Sequence, residues 1–340
     1  MIQNIDIAEY SSLEFDCILD VRSPSEFAYS HIPKAINLAV LSDEQRCIVG
    51  TQYKKDPFSA RILGASYVCE NISKLLKTIS DHIHPSKKVI LYCAKGGQRS
   101  NSLSVILSEI GYRIYRLRGG YKSYRQKVCT ALNSPPNLSF ITLCGPTGSG
   151  KSEIIATCEY GIHLEELAYH LGSSFGGIKG TQPSTKMFQN SLFEELHRQE
   201  RTNEKIALIE CESKKLGTII LPTPLVEAYQ CGFKIYIESP LEDRVKRIVQ
   251  EYGVMNLEFF SKAMSKIQTY MSKNAWNACY EAFKRGDLES CARILLLEYY
   301  DKVYKPSDFH LKIKHTDIQT TLQKLNRVRK GILRELEQRG

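Results

Sequence analysis

No two of the eleven cysteines lie within four residues of each other, so the chain lacks the C-x-x-C pairs of zinc and dithiol redox sites. Scattered and odd in number, they read mostly as reduced, buried, small hydrophobes. No segment approaches the ~20 consecutive apolar residues that span a bilayer. The opening MIQNIDIAEY has neither the basic start nor the apolar core of a signal peptide. A cytoplasmic protein with no membrane partner is therefore expected. There is no internal repeat and no low-complexity tract, which excludes solenoid and fibrous architectures. What remains is 340 residues, 42% hydrophobic and 24% charged, a globular composition long enough for about two domains. The formal net charge of +9 favours an acidic partner, nucleic acid first. Charge alone does not choose among polyanions.

Two α/β blocks flank the stretch ALNSPPNLSF, where Asn133, Ser134, Pro135 and Pro136 break any regular element. The first block has the short apolar runs FDCILD and KKVILYC, then helical periodicity through NSLSVILSEIGY. The second opens with LSFITLCGPTGSGKSEIIATC, a strand, a glycine loop and a helix, and has later strands in KIALIECES and FKIYIES. From about Met255 the pattern is helical. Alternating strands and helices predict parallel sheets with helices on their faces, and ligands at the carboxyl ends of the strands. The expected domains are 12–134, 138–255 and a helical extension, 256–340.

Cys93 stands at such a strand end, in LYCAKGGQRS. Ala94, Lys95, Gly96, Gly97 and Gln98 separate it from Arg99. A loop of this length can turn its N–H groups onto one point and make an anion cradle, with the glycines supplying unusual dihedrals. Those dipoles, with Lys95 and Arg99, would lower the thiol pKa and give a thiolate near neutral pH. A competing reading is a buried cysteine before an ordinary Gly-Gly turn. The spacing of cysteine, five residues and arginine is also that of cysteine-dependent phosphatases, so the pocket is expected to take a phosphate-sized group.

The flanks DVRSPSEFAYSHIPKAINL and GYRIYRLRGGYKSYR, together with this loop, closely resemble the rhodanese homology domain over residues 12–131. The resemblance implies that Cys93 carries sulfur or selenium as a persulfide or perselenide. Lys34 departs from it, standing where glycine is usual. His31 reads as a hydrogen-bonded structural residue.

The stretch Gly145, Pro146, Thr147, Gly148, Ser149, Gly150, Lys151, Ser152 satisfies G-x-x-x-x-G-K-S/T between an apolar run and a helix. Its N–H groups would cradle a phosphate chain, Lys151 would neutralise it, and Ser152 has the hydroxyl to hold a Mg²⁺ ion. Glu210, after a later strand and with Glu212 nearby, reads equally as a second Mg²⁺ ligand or as a plain strand cap. Nothing in the sequence reads adenine, and a diphosphate leaving group fits the same loop.

Three further stretches, DEQRCIVGTQYKKDPFSARILGA, HLEELAYHLGSSFGGI with TQPSTKMFQNSLFEEL, and ALIECESKKLGTIILP, extend the resemblance to the tRNA 2-selenouridine synthase family over nearly the whole chain. It is weakest after about residue 255. The thiol loop departs from the family, Ala94 and Lys95 keeping the positive charge but losing an aromatic contact. The resemblance implies action on the 2-thiolated wobble uridine of tRNA. A geranyl group is first moved from geranyl diphosphate to sulfur, and selenium from selenophosphate then replaces the geranylated sulfur. On this basis Cys93 and Arg99 are the catalytic expectations, and the P-loop binds diphosphate without needing to hydrolyse ATP. Ser173, Ser174, Phe175, Gly176 and Gly177 form an expected substrate loop, Phe175 stacking on a base or touching the geranyl chain. Gln182, Ser184 and Lys186 are weaker members of the same group. The basic tail, Lys324, Arg327, Arg329, Lys330 and Arg334, is either a tRNA contact or a solvated helix face. Two rival functions stand: a P-loop kinase or ATPase fused to a sulfurtransferase for a small molecule, and a rhodanese-like binding module with an inert cysteine.

Overall fold

The computed structural model describes residues 2–253, 255–304 and 308–338. The chain divides into two compact units: residues 1–131 with 184–194, and residues 132–183 with 195–340. Among the described residues no helix is long and apolar enough to cross a membrane.

The first unit is built on β1 (Gln3–Ile5), β2 (Cys17–Asp20), β3 (Ile36–Asn37), β4 (Lys88–Tyr92) and β5 (Arg113–Leu117), all parallel in the order β1-β5-β4-β2-β3. The central strand KVILY is covered on both faces, which is why it reads as a continuous apolar run and not as an alternating one. Leu19, Val89, Leu91, Leu103, Leu107 and Ile114 are among the core residues. Between β3 and β4 run two helices, Asp43–Lys55 and Pro57–His82. Each starts on a side-chain cap, Ser42 accepting from Gln45 N and Asp56 accepting from Phe58 N and Ser59 N. The helix Gln98–Glu109 links β4 to β5, and Gly120–Leu132 follows β5.

The first unit also takes in a segment from beyond the linker. The helix Thr185–Glu200 gives its opening part to this unit and its end to the other. Asn190 Nδ2 donates to His31 O at 2.7 Å and to Tyr121 Oη at 2.8 Å. Tyr124 Oη donates to Glu194 at 2.7 Å, and Arg125 Nη2 to Gln189 at 2.7 Å.

The second unit has β6 (Ser139–Cys144), β7 (Gly161–Ile162), β8 (Ile206–Glu210), a small antiparallel pair β9 (Lys215–Leu216) and β10 (Ile219–Ile220), then β11 (Phe233–Glu238) and β12 (Leu311–Lys314). The main sheet is parallel in the order β12-β11-β6-β8-β7. Ile141, Leu143, Leu208, Ile235 and Ile237 form its core, and the C-terminal helix Ile318–Glu337 lays Leu322, Leu325, Val328 and Ile332 on it at helical spacing. The α/β class expected from the sequence is what the fold shows. The extension beyond Met255 is mainly helical, but it also supplies β12, an edge strand whose four residues are too few for periodicity to reveal. Its helices Leu257–Ile267, Lys273–Lys284 and Leu288–Leu295 share a core of their own, where Phe260 stacks on Phe283 at 3.8 Å. The last of them ends in a π-helical turn, Leu296–Tyr300.

Candidate functional site

Each unit carries one of the loops singled out from the sequence. In the first, Cys93 follows directly on β4 and is buried, at 3% exposure. Gly97 N donates to its sulfur at 3.2 Å and Ser100 Oγ at 3.3 Å. The loop is shaped from behind by the turn after β5: Tyr121 N donates to Cys93 O at 2.8 Å and Lys122 N to Ala94 O at 3.0 Å. This close approach requires Gly120. Its φ is +58°, and a Cβ there would lie 2.2 Å from Cys93 O and 2.5 Å from Gly96 N. Gly96 is equally constrained, with φ at +68° and Leu117 O 2.9 Å from the place of a Cβ.

Burial pushes the Cys93 thiol up, but the Ser100 hydroxyl, the N–H groups of Ser100 and Lys95 and the Arg99 charge together outweigh it, so the thiol is held below its ordinary value. Ser100 had been seen only as the last letter of the loop, yet it is the side chain that touches the sulfur. A hydroxyl in the first turn of the helix after the cysteine is the signal that would have found it. Arg99 is near enough to act on the thiol but is engaged, its Nη1 lying 2.6 Å from Glu26, which also takes Arg46 at 3.0 Å. Lys95 and Gln98 are exposed and Ala94 is half-buried. His31 is structural, its Nδ1 2.9 Å from Phe27 O and its ring stacked on Phe27. Lys34 holds φ at +66°, the left-handed region that explains why glycine is usual there.

In the second unit the P-loop joins β6 to the helix Lys151–Thr157. Gly145, Gly148 and Gly150 all have positive φ, and a Cβ on Gly145 would meet Ile237 O at 2.5 Å. Lys151 Nζ rests on the loop's own carbonyls, 2.8 Å from Gly145 O and 3.2 Å from Pro146 O. Gly145 N donates to Tyr304 Oη at 2.8 Å. Arg244, paired with Asp301 at 2.6 Å, donates to Thr147 O, and Arg247 donates to Gly148 O. Around the loop opens a cleft of about 900 Å³ lined by Lys151, Ser152, Glu165, Ser173, Glu212 and Arg247 among others.

Of the carboxylates of this cleft, Glu165 is not marked by the sequence, and Glu212 is marked only as a neighbour of Glu210. Ser152 Oγ donates to Glu165 at 2.7 Å. Burial raises the Glu165 carboxyl, with Ser152 and Lys151 pulling against it. Glu212 is pushed up to about 8, by burial first and then by the charge of Glu165. A Glu212 carboxyl held this high makes the cleft less negative than its composition implies, which favours an incoming anion. Glu210 does not join them as a ligand. It is 1% exposed, accepts from Glu165 N at 2.8 Å, and does not line the cleft. Of the expected Ser152 and Glu210, Ser152 thus meets Glu165, while the strand end carries Glu210 inward.

The expected substrate loop divides. Ser173 and Ser174 line the cleft, their hydroxyls bonded to Tyr252 Oη at 3.0 Å and Tyr299 Oη at 3.1 Å. Phe175 turns inward to 3% exposure and packs on Phe260, so it is no exposed platform for a base. Gly176 and Gly177 begin a 3₁₀ turn, where a Cβ on Gly176 would strike the His170 ring. Gln182 is a brace, donating to Ala168 O and Leu216 O and accepting from Thr218 N. Lys186 belongs to the first unit, with Nζ over the Tyr29 ring, as does Ser184, which donates to Tyr29 O. Among the described residues, no three His, Cys, Asp or Glu side chains gather in metal-holding geometry.

A profile of rhodanese-like domains matches residues 6–127, and one described as the tRNA 2-selenouridine synthase AAA domain matches residues 138–284. The chain is 32% identical over 317 residues to a tRNA 2-selenouridine synthase of Sulfurovum sp. (strain NBC37-1), covering 84% of this chain and 87% of that protein. It is 36% identical over 262 residues to one of Alcanivorax borkumensis, covering 76% and 72%. It is 29% identical over 349 residues to one of Hydrogenovibrio crunogenus, covering 94% and 95%.

Proposed function

The chain belongs to the tRNA 2-selenouridine synthase family, and from that premise we propose that it converts 2-thiouridine in tRNA to 2-selenouridine in two transfers, one served by each loop. The observation that carries this reading is the Cys93 sulfur, buried and held by two hydrogen-bond donors in a chain that also bears a complete P-loop.

In the first transfer the thiocarbonyl sulfur attacks C1 of geranyl diphosphate. The C–O bond breaks, diphosphate leaves, and the base loses its N3 proton. Negative charge grows on the departing oxygens, and Lys151, Arg247 and the N–H groups of the P-loop are placed to meet it. Lys151 then exchanges the carbonyls of Gly145 and Pro146 for the anion. A Mg²⁺ ion would be held by Ser152 and Glu165 with the diphosphate oxygens, and would supply further charge neutralisation there; one or two carboxylates with substrate phosphates is its usual protein environment.

Alkylation turns a poor leaving group into a thioether, which departs as geranylthiol. In the second transfer selenium from selenophosphate takes its place at C2, the P–Se bond breaks, and water supplies the oxygen that leaves with phosphate. The N–H groups of the Cys93 loop would hold the phosphate oxygens, with the thiolate at the selenium end and Arg99 on the oxyanion side. The tail offers Lys324, Arg327, Lys330 and Arg334 as exposed cations for tRNA phosphates. Arg329 is otherwise engaged, paired with Glu204 and lying over the Tyr160 ring.

Mass spectrometry of wobble nucleosides tests the scheme in cells lacking the protein and re-supplied with variants. The expected pattern is no 2-selenouridine in any variant lane, geranylated thiouridine accumulating with Cys93→Ser, and unmodified thiouridine persisting with Lys151→Ala. Normal 2-selenouridine with Cys93→Ser would remove the thiol from the mechanism. Geranylation by Lys151→Ala would remove the P-loop.

A further inference from the structure

Three cations beside the Cys93 loop have no part in either transfer as described. Between Cys93 and Lys127 the chain holds eight lysines and arginines against one carboxylate, Glu109, which ends the helix Gln98–Glu109 at the far end from the loop. Arg99 is paired with Glu26, Arg116 is held by Asn4 and Asn101, Arg125 by Gln189 and Asn190, and Lys127 by Ser11. Lys95, Arg118 and Lys122 are exposed, and among the described residues no group bonds to their charged ends. The fold brings them together. Strands β4 and β5 are parallel neighbours that pair Leu91 with Arg116, and two residues further on stand Cys93 and Arg118. Lys122 N donates to Ala94 O, next to Lys95, at 3.0 Å, and a Cβ on Gly96 would meet Gly119 N at 2.9 Å. The thiol loop and the turn after β5 are thus in main-chain contact, and the three free cations stand on one lip of the Cys93 pocket.

A single phosphate-sized anion is already met by the N–H groups of the loop and by Arg99, and it leaves these three side chains over. What engages several cations along one edge is a string of phosphates. An RNA strand supplies one charge per nucleotide, and its base reaches a pocket where the strand is unpaired and splayed. Presenting such a base to Cys93 brings the phosphates before and after it against the lip. We propose that Lys95, Arg118 and Lys122 seat the RNA backbone that flanks the nucleotide presented to Cys93. The inference rests on the reading of tRNA as the substrate, and adds to it the surface of the first unit that receives the strand. The three are positioning residues, because phosphate contacts fix register and orientation and carry no sequence information.

Fluorescence anisotropy of a labelled anticodon stem-loop RNA with the full chain, over a series of KCl concentrations, tests this. Each phosphate contact on a single strand steepens the fall of log K with log salt by about 0.7. Lys95→Gln combined with Arg118→Gln and Lys122→Gln should therefore flatten the slope by about 2, with Tm unchanged because all three side chains are exposed. Arg118→Lys with Lys122→Arg keeps the charges and should keep the wild-type slope. Lys77→Gln with Arg113→Gln controls for charge in general. Lys77 is exposed near the end of the helix that leads into β4, and Arg113 is exposed at the start of β5. At roughly 3.3 Å per residue Arg113 lies about 16 Å from Arg118, beyond the Debye length of about 10 Å at 0.1 M salt, so this pair should leave the slope unchanged. A wild-type slope in the triple variant would overturn the lip and leave the tRNA reading intact, as would happen if the lip served an acidic protein. An equal loss from the control pair would mean a diffuse field and would overturn it as well. If the wild-type protein does not bind the RNA, the tRNA reading itself fails and the lip with it.

Discussion

Gly120→Ala examines how the thiol is held. Alanine at a φ of +58° costs about 1–2 kcal/mol in backbone strain alone. Its Cβ would stand 2.2 Å from Cys93 O, where contact distances are roughly 3.5 Å, so the loop must retreat by about 1 Å. The obstacle is main chain on two sides, Cys93 O and Gly96 N, and no side-chain rotation relieves it. A retreat of that size would break the bonds of Gly97 N and Ser100 Oγ to sulfur, now 3.2 and 3.3 Å. The sum is a destabilisation on the order of 3 kcal/mol, with loss of the lowered thiol pKa. Gly97→Ala is the control: its φ is −94° and no atom lies within 4 Å of where its Cβ would be. Urea unfolding gives the stability. Iodoacetamide labelling followed by peptide mass spectrometry gives the Cys93 rate separately from exposed thiols such as Cys47 and Cys69. Gly120→Ala within about 0.5 kcal/mol of wild type, the usual range of a surface change, and with an unchanged Cys93 rate, would refute the reasoning.

Two further outcomes follow from the same unit. Ser100→Ala removes the largest influence that lowers the Cys93 thiol and leaves burial, which raises it. The thiolate then forms only at higher pH, so the rising limb of the alkylation profile should move upward; a limb that stays in place would deny Ser100 its role. Lys34→Gly releases a lysine held at a φ of +66°, and after the entropic cost of glycine the gain should be roughly 0.5–1 kcal/mol, read as a rise of a few degrees in Tm. A fall in Tm would mean that the lysine side chain contributes more than its backbone strain costs.

The two loops were legible in the sequence because each is a local pattern in which glycine is required by backbone geometry and a reactive side chain stands at a fixed offset. Partners from elsewhere in the chain were not. Glu165 and Glu212 reach Ser152 and Lys151 through the topology of the second sheet, and Arg247 reaches Gly148 from a helix almost a hundred residues later, at |i−j| of 99. The Tyr252, Tyr300 and Tyr304 contacts depend on how the helical extension packs, and the π-turn at Leu296–Tyr300, which carries Tyr299 and Tyr300, has no compositional mark. Phe175 and Glu210 mark the limit of local pattern. Each sits in a stretch that looks functional, but the chain turns it inward, and no pattern of neighbours distinguishes a loop aromatic that anchors from one that stacks.

The segment Ser184–Glu194 has a practical meaning for dissection of the molecule. A fragment stopping at residue 131 would surrender Asn190 from Tyr121, Glu194 from Tyr124 and Gln189 from Arg125, opening polar positions that the intact chain satisfies. The complementary fragment would carry those same side chains away from their hosts. Separating the halves faithfully calls for grafting that stretch back onto the first by a designed linker, since no single scission of the backbone liberates either body whole.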